Sequence, residues 1–279
     1  MPTSDCPNVT HSAPPLPSLS VIIPAYNEAN RLPPTLRRIV GHLETRQAPY
    51  EILVVDDGSK DETAEVVERL ADRHAQIRLL RSPVNMGKGA AVRHGMEAAQ
   101  GDLQLFADAD GATPIEELER LEAAVSAGAD LAIGSRALAS RAAGFTVRAG
   151  WYRSALGSLF NALVQRLGIQ GVSDTQCGFK LFRRAIARDL FSVSCVDGYA
   201  FDLELLYVAK RRGYRIAEVP VNWTDQPGSK VRPWRDGLVM IRELLGVRRR
   251  DMFGFYHRPY RPAPTRIEPA LAPAEPSHF

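Results

Sequence analysis

An α/β fold with a mainly parallel sheet flanked by helices is predicted by three features of this 279-residue chain. Short apolar runs alternate with amphipathic stretches from Leu19 to Gly134. The apolar runs are nearly continuous, as expected of strands buried on both faces. Polar motifs stand at the carboxyl ends of three of them: Pro24-Ala25-Tyr26-Asn27-Glu28, Asp56-Asp57-Gly58-Ser59 and Asp108-Ala109-Asp110. Ligands of such sheets bind beyond the carboxyl ends of the strands, so three polar motifs converging on one edge indicate a single site.

The elements follow in order. Met1 to Ser18 hold five prolines and little apolar periodicity, which predicts a disordered leader. Leu19–Ile23 is a buried strand stopped by Pro24. Arg31–Arg46 reads as a helix with Leu36, Ile39, Val40 and Leu43 on one face. Ile52–Val55 is a second strand, and Ser59 with Glu62 makes a capping box for a helix to about His74. Ile77–Leu80 is a third strand, and Asn85-Met86-Gly87-Lys88-Gly89 opens a helix to about Ala99. The run Leu103–Ala107 ends in Asp108-Ala109-Asp110, and Gly111 turns the chain. Thr113 as N-cap, Pro114 at the first helical position and Glu116 in a second capping box start a helix to Ala127. Asp130–Gly134 is the next strand. Beyond it the alternation weakens. Arg148–Leu167 reads as a long helix, Asp174–Phe182 contains a strand, and Phe201–Arg212 is a helix bearing Asp202 and Glu204. Ile216–Trp223 reads as a strand and Trp234–Val247 as an amphipathic helix. One domain is expected over 19–250, with 251–279 as a proline-rich tail.

Composition narrows the function. With 45% hydrophobic and 24% charged residues the chain is ordinary globular material, and a net charge of +3 argues against a dedicated nucleic-acid binder. The charge is uneven: Ser229–Arg266 holds ten Lys and Arg against three acids, a region suited to phosphates or an anionic membrane surface. Cys6, Cys177 and Cys195 lack CxxC spacing, and an odd count points to reduced thiols in a cytosolic setting. No run approaches the ~18–20 apolar residues of a membrane span, and the N-terminus lacks the pattern of a signal peptide. The expected location is cytoplasmic, peripheral at the cytoplasmic membrane face.

On an extended segment Asp108 and Asp110 would point the same way, about 6–7 Å apart. Mg²⁺ commonly takes one or two carboxylates plus phosphate oxygens, so this pair suits a metal that holds a diphosphate. Lys88 stands at a helix start in a glycine-bearing loop, where backbone can approach closely and anions are favoured. The spacing is not that of a Walker A loop. Arg136, after the fifth strand, suits bidentate phosphate contact, and Arg148, Lys180, Lys230 and Arg232 could complete a basic pocket. Cys177 reads as a packed residue, since no His lies in its motif.

The three strand-end motifs, in this order, resemble the family 2 glycosyltransferases. Within that family the chain most resembles the dolichyl-phosphate (polyprenyl-phosphate) sugar synthases, and the glucosyl branch more than the mannosyl. That choice rests on Asn85-Met86-Gly87-Lys88-Gly89, Asp108-Ala109-Asp110-Gly111-Ala112-Thr113, Gly134-Ser135-Arg136, Asp174-Thr175-Gln176-Cys177-Gly178-Phe179-Lys180, Phe201-Asp202-Leu203-Glu204-Leu205-Leu206 and Gly228-Ser229-Lys230. The resemblance covers roughly Leu19 to Arg250. It implies a GT-A fold, with 19–136 as the nucleotide-sugar half and 137–250 as the acceptor half. It implies that Pro24, Ala25, Tyr26, Glu28, Asp56, Asp57, Lys88 and Asp108 bind the nucleotide, with Asp57 preferred over Asp56. Asp110, with Asp108, would ligate Mg²⁺ or Mn²⁺, and Arg136, Lys180 and Lys230 would meet an acceptor phosphate. Asp108, Asp110, Arg136 and Glu204 are the catalytic candidates, Glu204 slightly ahead of Asp202 as a base. Ala112 stands where some mannosyl relatives carry a Gln, which removes a potential metal ligand.

The implied activity is metal-dependent, inverting transfer of a hexose from a nucleotide-sugar donor, UDP-glucose or GDP-mannose, to a polyprenyl phosphate at the membrane surface. The same fold with a soluble acceptor, a non-catalytic nucleotide-sugar binding module and a membrane-surface interaction protein are the alternatives.

Overall fold

The computed structural model describes residues 18–148, 164–165, 169–228 and 233–257, the last segment by backbone alone over 233–236. Lys230, Arg232, Cys6, the leader up to residue 17 and most of the expected helix Arg148–Leu167 lie outside these residues.

Seven strands form the main sheet: β1 (Leu19–Ala25), β2 (Tyr50–Asp56), β3 (Ile77–Arg81), β4 (Leu103–Ala107), β5 (Leu131–Ser135), β7 (Phe179–Arg183) and β8 (Ile216–Pro220). Their order is β3-β2-β1-β4-β7-β5-β8, and β6 (Val147–Arg148) pairs with β9 (Trp223–Thr224) in a small separate sheet. β7 alone is antiparallel in the main sheet, pairing Ala107 with Phe179 and Ile133 with Lys180. This reversal matters for the site. It brings the loop entering β7 to the edge where β1, β2, β4 and β5 end.

Alternation along the strands splits the core into two layers. Ile22, Leu53, Val55 and Phe106 face α3 (Lys88–Ala98), α6 (Arg184–Phe191), α7 (Phe201–Arg211) and α8 (Pro233–Met252). Val21, Ile23, Val54 and Leu105 face α1 (Leu32–Glu44) and α4 (Leu118–Ser126). α1 buries Leu36, Ile39, Val40 and Leu43 as its periodicity predicts. The remaining helices are α2 (Thr63–Ala71) and the single turn α5 (Arg136–Ala139).

Several expectations are corrected. Neither capping box forms. α2 starts at Thr63 with no side-chain cap, and Ser59 Oγ instead accepts the Asn27 N–H. Ile115–Glu117 is a 3₁₀ turn that runs into α4, and Glu116 pairs with Arg38 of α1. In both places a contact with another segment replaces the local cap. The strand of Asp174–Phe182 begins only at Phe179. α8 runs on to Met252 and Tyr256 is fully buried, so the domain continues past residue 250 into the expected tail.

Candidate active site

Asp57 fixes the donor-side loops. It is buried, and its two carboxylate oxygens accept the N–H groups of Met86 and Gly87 at 2.8 and 2.9 Å. Asp56 accepts the Ser59 N–H at 3.0 Å. Asn27 takes a left-handed conformation with φ of 52°, which Asn tolerates, and donates its N–H to Ser59 Oγ. The Glu28 N–H donates to Thr63 Oγ1 at 2.7 Å. The segment from Pro24 through Ala25 and Tyr26 to Glu28 is thereby stitched to the end of β2. The Glu28 carboxylate is buried and receives two hydrogen bonds from Arg31, at 2.7 and 2.5 Å.

Lys88 sits at the first position of α3, its ammonium 2.7 Å from Asp108 Oδ1 and 5.3 Å from the Phe106 ring centre. Burial works against its charge, but the carboxylates of Asp108, Asp202 and Asp110 together outweigh that and hold its pKa above the usual lysine value. The helix start is less open than expected. The Gly89 and Ala90 N–H groups donate to the Asp197 carbonyl at 2.7 and 3.3 Å, so they are occupied by protein. A Cβ at Gly89 would collide with the Val196 carbonyl, which explains the glycine there.

β4 ends at Ala107, and Asp108–Asp110 form a turn rather than an extended run. The two carboxylates are nonetheless neighbours. Burial first, and then repulsion from Asp108, raises the Asp110 carboxyl above its usual pKa, while Arg31 and Lys88 act in the opposite sense. Asp110 Oδ1 accepts the Ala112 N–H, and the Asp108 N–H donates to the Gly178 carbonyl at 3.1 Å. A Cβ at Gly178 would collide with the Asp108 carboxylate and force it to move. A cleft of about 340 Å³ opens beside this turn, lined by Arg31, Thr35, Arg38, Asp108, Asp110 and Gln226 among others.

No group of three His, Cys, Asp or Glu able to hold a metal occurs among the described residues. Two adjacent carboxylates that repel each other, beside a cleft, fit a hard cation that completes its shell with substrate oxygens.

Arg136 follows β5, where Ser135 Oγ caps the short α5. Its backbone N–H and its Nε donate to Asp174 Oδ2 at 2.9 and 2.7 Å, and Nη2 donates to Oδ1 at 2.8 Å. Its guanidinium also lies 5.3 Å from the Trp223 ring centre. Burial alone would push the Asp174 carboxyl up, but Arg136 holds it below its usual range. The Asp174 and Ser173 N–H groups donate to Glu218.

Two candidates occupy structural positions instead. The Lys180 ammonium is buried, donates to the Cys177 carbonyl at 2.6 Å and lies 2.6 Å from Asp202. It has no exposed face for an acceptor phosphate. Lys180→Met is expected to cost about 3–5 kcal/mol of stability in chemical denaturation, because it leaves Asp202 buried without its cation; an unchanged midpoint would contradict this placement. Glu204 is fully buried. It accepts from Ser194 Oγ and the Cys195 and Val196 N–H groups at 2.8 Å each, and from Tyr256 Oη at 2.6 Å and Arg250 at 3.2 Å. A carboxylate so engaged holds a loop and cannot take a substrate proton. Glu204→Gln is therefore expected to lower the thermal midpoint by several degrees while leaving kcat within about threefold.

Sequence reasoning missed Arg31, the orienting role of Asp174 and the stacking Trp223. The spacing of Glu28 and Arg31 was a signal for the first. Nothing in the chain pattern links Arg136 with Trp223.

Residues 20–191 match the profile "Glycosyl transferase family 2". The human dolichyl-phosphate beta-glucosyltransferase is 40% identical over 256 residues, 86% of this chain and 78% of that one. A dolichyl-phosphate beta-glucosyltransferase of Trichomonas vaginalis is 44% identical over 221 residues, 76% of this chain and 65% of that one, so this chain spans slightly under two thirds of that relative. The glucosyl-3-phosphoglycerate synthase of Mycobacterium tuberculosis, solved with UDP, superposes with a TM-score of 0.60 at 20% identity, covering 87% of this chain and 81% of that one. The same enzyme with Mn²⁺ and UDP-glucose gives 0.59. This structural likeness shows the fold, which is GT-A. With the profile covering more than half of its residues, the chain belongs to glycosyltransferase family 2 and is an enzyme of the hexosyltransferase type.

Proposed function

We propose that this enzyme transfers glucose from UDP-glucose to a dolichyl or other polyprenyl phosphate, with inversion at the anomeric carbon. The observation that carries this reading is the meeting, on one sheet edge, of the Pro24–Glu28 and Asp56–Gly87 loops, the Asp108/Asp110 pair and the Arg136–Asp174 fork. The named activity of the 40–44% identical relatives supports the sugar and the acceptor.

Mg²⁺ or Mn²⁺ would be held by Asp110 and Asp108, where it would neutralise charge on the departing diphosphate as a Lewis acid. The neighbour solved with Mn²⁺ and UDP-glucose supports the use of a divalent metal. Pro24, Ala25, Tyr26 and Glu28 line the base and ribose, with Asp57 and Asp56 holding their loops in register. Lys88 is placed to exchange its Asp108 partner for a phosphate oxygen. Arg136, oriented by Asp174, binds the acceptor phosphate. That phosphate is already anionic near neutral pH, so attack in a single displacement needs no strong base. This is consistent with Glu204 being a buried structural group.

A lipid acceptor requires a membrane contact. No helix among the described residues is long and apolar enough to cross a membrane. α8 instead exposes Leu238, Leu245 and Met252 at seven-residue spacing, next to Phe253 and the exposed Arg242, Arg248 and Arg249. An apolar stripe with arginines suits an anionic bilayer surface on the cytoplasmic side.

Release of nucleoside diphosphate from a panel of UDP- and GDP-sugars, with and without a short polyprenyl phosphate, tests the reading. Release that requires both UDP-glucose and the lipid is expected. Release with 3-phosphoglycerate or another soluble phosphate in place of the lipid would contradict it.

A further inference from the structure

We propose that Arg31 is a phosphate-binding residue of the donor site, gripping the diphosphate from the side opposite Lys88. The proposal rests on the nucleotide-sugar reading and adds a residue to it.

Arg31 precedes α1 and lines the cleft shared with Asp108 and Asp110. Its side chain is 23% exposed, so the guanidinium is held by protein yet reaches solvent. Three of its donors are used. Nε donates to Glu28 Oε2 at 2.7 Å, Nη2 to Glu28 Oε1 at 2.5 Å and Nη1 to the Pro227 carbonyl at 3.2 Å. A guanidinium has five N–H donors, so one on each terminal nitrogen is without a partner among the described residues. A planar cation with an orienting carboxylate behind it and two donors left is suited to a phosphate.

The charges around the cleft point the same way. Its lining includes the guanidiniums of Arg31 and Arg38 and the carboxylates of Asp108 and Asp110, a balanced set. Arg38 is already paired at the rim with Glu116. A divalent cation on the two carboxylates would leave the cleft positive, and Arg31, held by a buried carboxylate with donors to spare, would be a fixed cation for an anion there. Arg31 also bridges the two halves of the site, because Glu28 belongs to the loop after β1 whereas Pro227 lies after β9. Ser229 and Lys230 follow Pro227 closely in the chain.

The test compares wild type with Arg31→Gln and Arg31→Lys by calorimetric binding of UDP and of uridine in Mn²⁺, with thermal midpoints as the control for folding. Loss of a charged phosphate contact is expected to weaken UDP about ten- to hundredfold in Arg31→Gln. Uridine affinity is expected to stay within about twofold, and Arg31→Lys is expected to recover part of the loss. Equal weakening of UDP and uridine would overturn the proposal, because Arg31 would then act only by shaping the Glu28 loop. Unchanged UDP affinity would overturn it as well. A wild type that binds neither UDP nor GDP would instead refute the nucleotide-sugar reading itself.

Discussion

Asp110→Asn is expected to reduce turnover by about a hundredfold to a thousandfold or more and, at the same time, to stabilise the metal-free fold. Both effects have one cause. Burial and the neighbouring Asp108 raise the Asp110 carboxyl above its usual pKa, so its charged form is held at a cost near neutral pH. The sign follows directly: a carboxyl with a raised folded-state pKa opposes folding above that pKa and ceases to oppose it as the pH falls through it. Asn removes the charge but keeps an oxygen for the Ala112 N–H. It also removes the proposed ligand through which a divalent cation would offset the repulsion, and electrostatic stabilisation of a leaving group contributes on this scale. Thermal denaturation with and without Mn²⁺ checks the idea. The wild type should gain stability from the ion, and Asp110→Asn should start higher and gain little. A variant that loses activity while keeping the full Mn²⁺ shift would place the metal elsewhere.

Arg136→Ala should cut kcat/KM for the lipid phosphate by about a hundredfold, chiefly through KM, with UDP affinity unchanged. The guanidinium is oriented by two hydrogen bonds to one carboxylate, which also accepts the Arg136 backbone N–H, and by the Trp223 ring. A charge-assisted phosphate contact contributes about 1.5–3 kcal/mol, and the loss of orientation adds to that. Asp174→Asn separates the two contributions. It leaves the cation but weakens the fork that aims it, so a smaller rise in KM is expected. The Arg136 side chain is 31% exposed, so water can screen part of the charge that removal leaves on Asp174. Equal loss of UDP binding and lipid-dependent turnover in Arg136→Ala would place this residue on the donor instead.

The parts of this protein that follow from local pattern were legible in its chain. The continuous apolar runs at Leu19–Ile23 and Ile52–Val55 became central strands, and the stripe Leu36, Ile39, Val40 and Leu43 became the buried face of α1. What depended on long-range pairing was not legible. The reversal of β7 follows from its placement between β4 and β5, which no local signal encodes. The capping boxes at Ser59 and Thr113 failed because Asn27 recruited the first and a 3₁₀ turn displaced the second. Lys180 and Glu204 lie in charged motifs that look like site residues. Their burial, set by the packing of α7 on the sheet and of Tyr256 on α7, is what makes them structural. Arg31 shows the converse, an unremarked helix-leading residue that the fold carries into the cleft.

The central claim is that glucose passes from UDP-glucose to a polyprenyl phosphate. Incubation of the whole chain with UDP-glucose labelled in the sugar, a divalent cation and dolichyl phosphate in anionic vesicles tests it most directly, with label counted after organic extraction. The expected product is a labelled glycolipid that appears only with the lipid phosphate, releases glucose in mild acid and carries the inverted, β-linked sugar. Label that stays in the aqueous phase as a new sugar phosphate, independent of the lipid, would contradict it.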